Sequence, residues 1–174
     1  NIQWEHKNVI TLIRAFARIA NEITEDLILV GRKSFSTLLQ RQIYEIIDQN
    51  NLQNRIIFTG FVSTEELDDI ISKTRIYVNS SLFEGFGMTA VEMMGSCVPT
   101  IVNTGTALPE STMGLCRYYE PALSDENLAK VILEELHNPT SEENLKSIAF
   151  EIKKAYNYLS IAQEYIQFIE RNVM

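Results

Sequence analysis

The chain alternates short apolar runs with longer stretches in which apolar residues recur every three or four positions. The longer stretches predict helices, and in the first half of the chain these cover 9–20, 36–49, a segment after Ser63, and 88–96. The apolar runs predict buried strands at 27–30, 55–60, 75–79, 98–103 and 116–120. Strands that alternate with helices predict a parallel sheet covered on both faces. We therefore expect an α/β fold with a Rossmann-like, doubly wound parallel sheet.

Serine residues mark the starts of several predicted helices. Ser63 and Glu66 have the spacing of a capping box, in which each side chain bonds the other residue's backbone N–H. Helical spacing is continuous after residue 120, and it predicts helices that start at Ser124, Ser141 and Ser160. Gln163 is expected to complete a capping box with Ser160. The sequence thus predicts several C-terminal helices beyond the last strand.

The composition is that of one soluble globular domain, with 174 residues of which 45% are hydrophobic and 22% charged. The formal net charge of −8 argues against a nucleic-acid partner, because such proteins carry basic patches that neutralise phosphates. No apolar run approaches the roughly 20 residues that span a bilayer. We expect a cytoplasmic protein, with a peripheral membrane contact left open for other parts of the full protein.

The cysteine and histidine pattern predicts no metal site and no cofactor. Cys97 and Cys116 lack the CxxC spacing of metal ligands, and no histidine cluster lies near them. His6 and His137 have no partner at helical spacing. The two cysteines are expected to be reduced packing residues.

Small and polar residues follow four of the predicted strands, where a doubly wound sheet binds its ligands. These segments are Gly31-Arg32-Lys33, Gly60-Phe61-Val62, Asn79-Ser80-Ser81 and Asn103-Thr104-Gly105. The third of them begins the longest connection, SSLFEGFGM, which leads directly into a predicted helix. We expect the chemistry of the protein to concentrate there.

Residues 84–92, EGFGMTAVE, combine a glycine-rich turn with two carboxylates. Glycines let the backbone approach a ligand closely, and the N-terminus of a helix attracts a diphosphate. Glu84 precedes the helix and Glu92 lies just over one turn into it, so the two carboxylates can flank a ligand at the helix end. Carboxylates bind sugar hydroxyls well. From spacing alone, two glutamates that merely interact with the helix dipole are equally compatible with this pattern.

The stretch SSLFEGFGMTAVEMMGSCVPTIVNTGTALPE closely resembles the signature of family 4 glycosyltransferases with the GT-B fold. That signature has a Glu, seven residues and a second Glu, followed by a strand containing Pro99 and by Pro109-Glu110. The segments HKNVITLIRAF and FTGFVSTEEL resemble further parts of the family pattern. The resemblance covers about residues 6–137, and it is specific over 79–110.

The resemblance implies that residues 1–174 form a single donor-binding domain, the C-terminal half of a GT-B fold. The N-terminal acceptor domain and the first strand would then lie outside this chain. It also implies a donor that is a UDP-, GDP- or ADP-linked sugar, a glycan or lipid-linked acceptor, and no metal. The expected activity is retaining transfer of a hexose-like sugar in polysaccharide or surface-glycan synthesis, with the isolated domain inactive.

The same resemblance implies roles for individual residues. Glu84 would bind hydroxyls of the donor sugar, and Lys7 would stabilise the departing diphosphate. Glu92 would bind the ribose. Further contacts to the sugar, the diphosphate and the base of the donor would come from Gly85, Phe86, Gly87, Met88, Val62, Gly31, Arg32 and Lys33. For Arg32 and Lys33, an ordinary exposed turn is an equally good interpretation.

The sequence also departs from the family pattern. No arginine precedes Lys7, although the family commonly places one there, and His6 stands where arginine is frequent. Cys97 occupies a position that is often glycine. These departures leave open an alternative function, a non-catalytic nucleotide-sugar-binding module. A sugar-nucleotide epimerase ranks last, because such enzymes lack this spacing of glutamates.

Overall fold

The structure, a computed structural model, describes residues 5–32 and 35–173. The strands are β1 Leu27–Val30, β2 Ile56–Gly60, β3 Tyr77–Asn79, β4 Thr100–Asn103 and β5 Arg117–Tyr119. The helices are α1 Val9–Ile19, α2 Thr37–Gln49, α3 Thr64–Lys73, α4 Met88–Gly95, α5 Leu108–Ser111, α6 Asp125–His137, α7 Glu142–Ala155 and α8 Tyr158–Val173. All five predicted strands are present.

The described strands form two parallel sheets, one of β1 and β2 and one ordered β3-β4-β5. Leu27 lies opposite Ile56 in the first sheet, and Val78 lies opposite Ile101 in the second. The prediction of parallel strands is confirmed, whereas their division into two sheets was not foreseen. Periodicity identifies a strand, but its pairing partner depends on the tertiary arrangement.

Helices flank the parallel sheets, as predicted for an α/β fold, and the second sheet is covered on both faces at β4. Successive side chains of a strand point to opposite faces, and β4 illustrates this alternation. Ile101 belongs to the main core, which α1, α2 and α6 also line. Val102 packs on the other face with Ala90 of α4 and Leu108 of α5. The four residues of β4 are all buried, which explains their nearly continuous apolar sequence.

Helix α1 supplies the central part of the main core. Its buried apolar residues follow helical spacing and include Val9, Leu12, Ile13, Phe16 and Ile19. Burying each such side chain fully contributes about 1.5–3 kcal/mol. Because α1 follows directly after a 3-10 helix, Glu5–Lys7, its packing also positions that short helix. None of the described helices is both long enough and apolar enough to cross a membrane.

Local hydrogen bonds confirm the predicted capping box of α3. The Ser63 hydroxyl accepts from the Glu66 N–H at 3.2 Å, and the Glu66 carboxylate accepts from the Ser63 N–H at 2.7 Å. The predicted start of the last helix at Ser160 is wrong, because α8 begins at Tyr158. The Asn157 side chain accepts from the N–H groups of Leu159 and Ser160 at 3.0 and 3.1 Å. Asparagine caps helices as well as serine does, so the serine pattern fell inside the helix.

Candidate functional site

Lys7 and Glu84, which are separated by 77 residues in the chain, meet at the carboxyl end of β3. The Lys7 Nζ lies 2.6 Å from the Glu84 Oε1, and the two side chains are 27% and 16% exposed. Lys7 ends the 3-10 helix, and Glu84 lies in the connection between β3 and α4. The structure therefore brings together the two residues that the sequence nominated for chemistry.

Hydrogen bonds to backbone carbonyls hold the connection after β3 against the 3-10 helix. The Ser80 hydroxyl donates to the Lys7 carbonyl at 2.9 Å. The Leu82 N–H donates to the His6 carbonyl at 2.7 Å. These contacts place Lys7 and the Glu84 segment side by side independently of the ion pair. The short helix thus forms one wall of the site.

Two asparagines shape the turns at the ends of the adjacent strands β3 and β4. The Asn79 Oδ1 accepts from the Ser81 N–H at 3.0 Å, and the Asn103 Oδ1 accepts from the Gly105 N–H at 2.7 Å. The Asn103 Nδ2 also donates to the Ser81 carbonyl at 2.5 Å. A Cβ at Gly105 would lie 2.7 Å from the Asn103 Oδ1, so glycine suits this turn. Sequence reasoning noted both asparagines only as polar strand ends.

The Asn79 side chain leaves one polar group unsatisfied. Asn79 is only 4% exposed. Its Nδ2 is the one buried side-chain nitrogen or oxygen within the described segments that has no hydrogen-bond partner. An unsatisfied buried polar group costs about 1–3 kcal/mol. Such a group at the edge of a candidate site requires an explanation.

The surroundings of Glu84 keep its carboxylate ionised. Burial is the largest single effect, and it raises the pKa of Glu84. The Lys7 ammonium, together with the side chains of Ser81 and Asn79, outweighs burial and lowers the pKa below its ordinary value. Glu84 is therefore a hydrogen-bond acceptor near neutral pH, which suits contact with hydroxyl groups.

Gly87 turns the chain sharply into α4. Its φ of +83° lies in the left-handed region, and a Cβ there would lie 2.5 Å from the Leu108 Cδ2. Both features require glycine. No side chain caps the N-terminus of α4. The Ala90 N–H donates to the Gly87 carbonyl at 2.9 Å, whereas the backbone N–H groups of Met88 and Thr89 are available to a ligand, and the helix dipole favours an anion there.

The other residues of the glycine-rich turn are more exposed. An added Cβ at Gly85 would meet nothing within 4 Å. The Phe86 ring packs edge-on against Tyr156, with ring centroids 5.2 Å apart. Tyr156 follows α7 and donates its hydroxyl to the Ser111 carbonyl at 2.7 Å. The Met88 side chain is 64% exposed. Phe86 therefore anchors the turn by its side chain, which leaves its backbone for other contacts.

Glu92 lies in the second turn of α4, where its side chain is exposed. Within the described segments the Glu92 side chain makes no hydrogen bond and no ion pair. Burial raises the pKa of Tyr77 to about 12, against the effect of a hydrogen bond with Thr89, and the charges of both Glu84 and Glu92 add to the rise. The charges of both glutamates thus raise the pKa of the same tyrosine in β3. Among the described residues, no group of three His, Cys, Asp or Glu could hold a metal ion.

The predicted residues near β1 and β2 form a second group. The Gly31 N–H donates to the Gly60 carbonyl at 3.0 Å. The Arg32 guanidinium lies 5.4 Å from the centroid of the exposed Phe61 ring, and Val62, half-buried, follows it. Within the described segments, no hydrogen bond or ion pair joins this group to Lys7 or Glu84. Lys33 lies outside the described residues.

The fold is similar to that of solved GT-B glycosyltransferases. A glycosyltransferase from Rickettsia africae ESF-5 superposes with a TM-score of 0.84 at 17% identity, over 97% of this chain and 45% of that one. Anabaena Alr3699/HepE, solved in complex with UDP, gives a TM-score of 0.79 at 19% identity, over 97% and 46% of the two chains. At such identities the likeness establishes the fold alone.

Sequence relatives carry glycosyltransferase and synthase names. Mannosylfructose-phosphate synthase from Agrobacterium fabrum is 26% identical over 140 residues, which are 79% of this chain and 31% of that protein. The O-antigen chain mannosyltransferase RfbU from Salmonella typhimurium is 30% identical over 100 residues, 58% of this chain and 27% of that protein. The chain thus spans less than a third of the length of either relative.

A family model described as glycosyl transferases group 1 matches residues 3–152. The match extends from just before the 3-10 helix into α7, and it includes Lys7, Glu84, Glu92 and the glycine-rich turn. The chain therefore belongs to the group 1 glycosyltransferase family, with the fold of a GT-B glycosyltransferase domain.

Proposed function

We propose that this chain is the donor-binding domain of a retaining glycosyltransferase. It binds a nucleoside diphosphate sugar, and the full protein transfers the sugar to a glycan or lipid-linked acceptor. The observation that carries the proposal is the contact of 2.6 Å between Lys7 and Glu84, two residues that the family resemblance assigns to the donor.

The proposed leaving group is a nucleoside diphosphate, which departs with negative charge. Lys7 supplies an ammonium, and the uncapped N-terminus of α4 supplies backbone N–H groups and a positive dipole end. Groups that are fixed before the reaction stabilise developing charge without reorganisation. The hydrogen bonds of the 3-10 helix to the connection after β3 provide such fixation. Charge compensation of this kind would replace a metal ion, and the proposal includes none.

In this proposal, each of the two glutamates binds a different sugar of the donor. Glu84, held ionised beside Lys7, accepts hydrogen bonds from hydroxyls of the transferred sugar near the reacting carbon. Glu92, exposed and without an ion pair, accepts from the ribose hydroxyls. The backbone of Gly85, Phe86 and Met88 contacts the sugar and diphosphate between them.

We assign binding of the nucleobase of the donor to the residues at the ends of β1 and β2. Val62 would contact it through its backbone, while Gly31 and Arg32 would line the cleft, with Lys33 next to them in the chain. The complexes of the Anabaena relative with UDP and with UDP-glucose favour a UDP-linked donor. The mannosyltransferase names of several relatives favour transfer of a hexose.

The test is a screen of nucleotide sugars on the full-length protein. UDP-, GDP- and ADP-linked sugars are compared by thermal shift, and each stabilising donor is then incubated with candidate acceptors. The product's anomeric configuration is determined by NMR. We expect at least one donor to raise the melting temperature, turnover that is insensitive to EDTA, and retention at the anomeric carbon.

The possible outcomes separate the alternatives. Donor binding without transfer to any acceptor would favour the non-catalytic module. Inversion of the anomeric carbon, or complete loss of turnover in EDTA, would contradict the mechanism. A protein that binds none of the nucleotides would contradict the assignment of the site.

A further inference from the structure

The buried carboxamide of Asn79 is the feature of the site that neither the fold nor the proposed donor contacts explain. Its Oδ1 is held by the Ser81 N–H, so the orientation of the amide is determined and the Nδ2 points away from that turn. The Nδ2 has no partner in the described part of the chain, although the residue is 4% exposed.

Asn103 provides an internal comparison, because it ends the neighbouring strand and forms the same kind of turn. Its Oδ1 accepts from the Gly105 N–H, and its Nδ2 donates to the Ser81 carbonyl at 2.5 Å. An asparagine with a purely structural role at this sheet edge therefore uses both side-chain atoms. Asn79 makes the turn with one atom and leaves the other, a donor, unused.

The acceptor that we assign to this donor is the carboxylate of Glu84. Glu84 lies five residues beyond Asn79, and the Asn79 side chain is near enough to help hold the pKa of Glu84 down, although its Nδ2 forms no hydrogen bond of normal geometry within the described residues. The other charged and titratable groups that face Glu84 are Lys7, from the 3-10 helix, and Tyr77, from β3, on which Glu92 also acts. The Glu84 carboxylate is held in this resting structure by Lys7.

We propose that Asn79 is a positioning residue for Glu84, whose amide N–H holds the carboxylate when Lys7 turns to the diphosphate of the donor. This inference rests on the proposed function, since it takes Lys7 to bind phosphate and Glu84 to bind sugar. A carboxylate that loses its ammonium partner on binding needs another donor to stay ionised and oriented. Asn79 supplies a donor that is already buried beside it and already unpaired.

The first experiment needs no substrate. The full-length protein is labelled with carbon-13 at the glutamate carboxyl groups, and the Glu84 signal is assigned from Glu84→Gln. We expect Asn79→Ser to raise the pKa of Glu84, and to raise it more in a Lys7→Met background than with Lys7 present. A pKa of Glu84 that does not respond to Asn79→Ser in Lys7→Met would overturn the inference.

The second experiment uses kinetics. Serine at position 79 can still accept from the Ser81 N–H but lacks the amide N–H groups, so the turn is retained while the proposed donor is removed. Asn79→Ser should lower kcat about tenfold to a hundredfold, the size of one hydrogen bond to a charged group, and change the Kd for free nucleoside diphosphate by less than about twofold. Asn79→Thr, which keeps an acceptor for the Ser81 N–H and removes the amide donor without adding charge, should behave alike if the serine variant does not fold.

The control is Asn103→Ser, which removes the structural bond to Ser81. It should lower the melting temperature and change the pKa of Glu84 less than Asn79→Ser does. If Asn79→Ser weakens nucleoside diphosphate binding as strongly as it lowers kcat, Asn79 contacts the ligand itself and the positioning role is overturned. If the wild-type protein binds no nucleoside diphosphate, the proposed function fails, while the carboxyl titration still decides whether Asn79 holds Glu84.

Discussion

The ion pair between Lys7 and Glu84 has more bearing on function than on stability. Both side chains are partly exposed, and such pairs contribute about 0–1 kcal/mol to stability. The pair keeps a cation and an ionised carboxylate next to the open end of α4. In the proposed function these two groups serve different parts of one donor, the diphosphate and the sugar.

Alanine substitutions of the two glutamates should separate their roles. Glu92→Ala should weaken a sugar nucleotide and the free nucleoside diphosphate equally, by about tenfold to a hundredfold, because both ligands contain the ribose. Glu84→Ala should leave the free nucleoside diphosphate nearly unchanged and strongly lower turnover. The measurements are calorimetry with both ligands and initial rates for the full-length protein.

The matched control for these variants is Glu151→Ala, on the exposed surface of α7. It should change neither binding nor rate. Equal losses of free nucleotide affinity in Glu84→Ala and Glu92→Ala would contradict the division between them. Small losses of melting temperature with unchanged binding would indicate that the glutamates only interact with the helix dipole.

The lowered pKa of Glu84 predicts a pH dependence of stability. A carboxylate whose pKa is lower in the folded protein stabilises the fold above its unfolded pKa, about 4.3, and this contribution is lost as the pH falls through the folded value. Lys7→Met should therefore have a lower free energy of unfolding than the wild type at pH 7, by about 1 kcal/mol or less, and the difference should be smaller at pH 3.

Melting curves at both pH values test this prediction, with Lys73→Met as the control. Lys73 pairs with Asp69 at 2.6 Å on the surface of α3, where the side chains are 72% and 59% exposed. Its substitution should have a smaller effect at pH 7. A gap for Lys7→Met that persists unchanged at pH 3 would mean that Glu84 is not the group concerned.

At the scale of elements, α4 ends in a hydrogen-bond pattern that usually contains glycine. The Val98 N–H donates to the Met93 carbonyl and the Cys97 N–H to the Met94 carbonyl, which is a Schellman motif. Cys97 has a φ of +60°, in the left-handed region. This finding accounts physically for the glycine that the family often has at that position.

Cys97→Gly should therefore stabilise the protein by about 1 kcal/mol, because glycine removes the steric cost of the left-handed conformation. Chemical denaturation measures the change. The control is Asn51→Gly at the end of α2, where φ is +56°, because asparagine tolerates this conformation and less should be gained. A loss of stability in Cys97→Gly would show that packing of the half-buried thiol outweighs the backbone cost.

At the scale of the whole molecule, the chain spans less than a third of the two sequence relatives described above. Helix α8 leaves large apolar side chains exposed, by 54–76%, at Tyr158, Leu159, Tyr165, Ile166, Phe168 and Ile169. Apolar surface of this extent is typical of contact regions. The proposed donor contacts lie on other elements, from the 3-10 helix to α4.

Residues 1–174 alone should therefore bind a nucleoside diphosphate weakly and transfer no sugar. A Kd on the order of 0.1–1 mM corresponds to about 4–5.5 kcal/mol of binding free energy. Calorimetry with UDP, GDP and ADP tests the binding, and incubation with donor and a soluble acceptor tests the transfer. Efficient transfer by these residues would contradict the assignment of the acceptor to another domain, and absence of binding at millimolar ligand would contradict the donor cleft.

Local sequence determined the secondary structure and nominated the main site residues. Periodicity and capping act over three or four residues, so β1, α2 and the capping box of α3 could be predicted closely. The EGFGMTAVE segment and its family resemblance identified Glu84 and Glu92. The start of α8 was misplaced because Asn157 and Ser160 carry equally good capping groups, and only the folded backbone decides between them.

Tertiary structure alone decided which of these groups meet. The contact of Lys7 with Glu84 spans 77 residues, the described strands divide into two sheets, and among the described residues the Asn79 amide donor has no partner whereas that of Asn103 has one. The two asparagines have similar local sequences, NSS and NTG, and form the same turn. Their difference arises from the neighbours that packing brings to each amide. A local sequence pattern acts over only three or four residues, so it does not identify those neighbours.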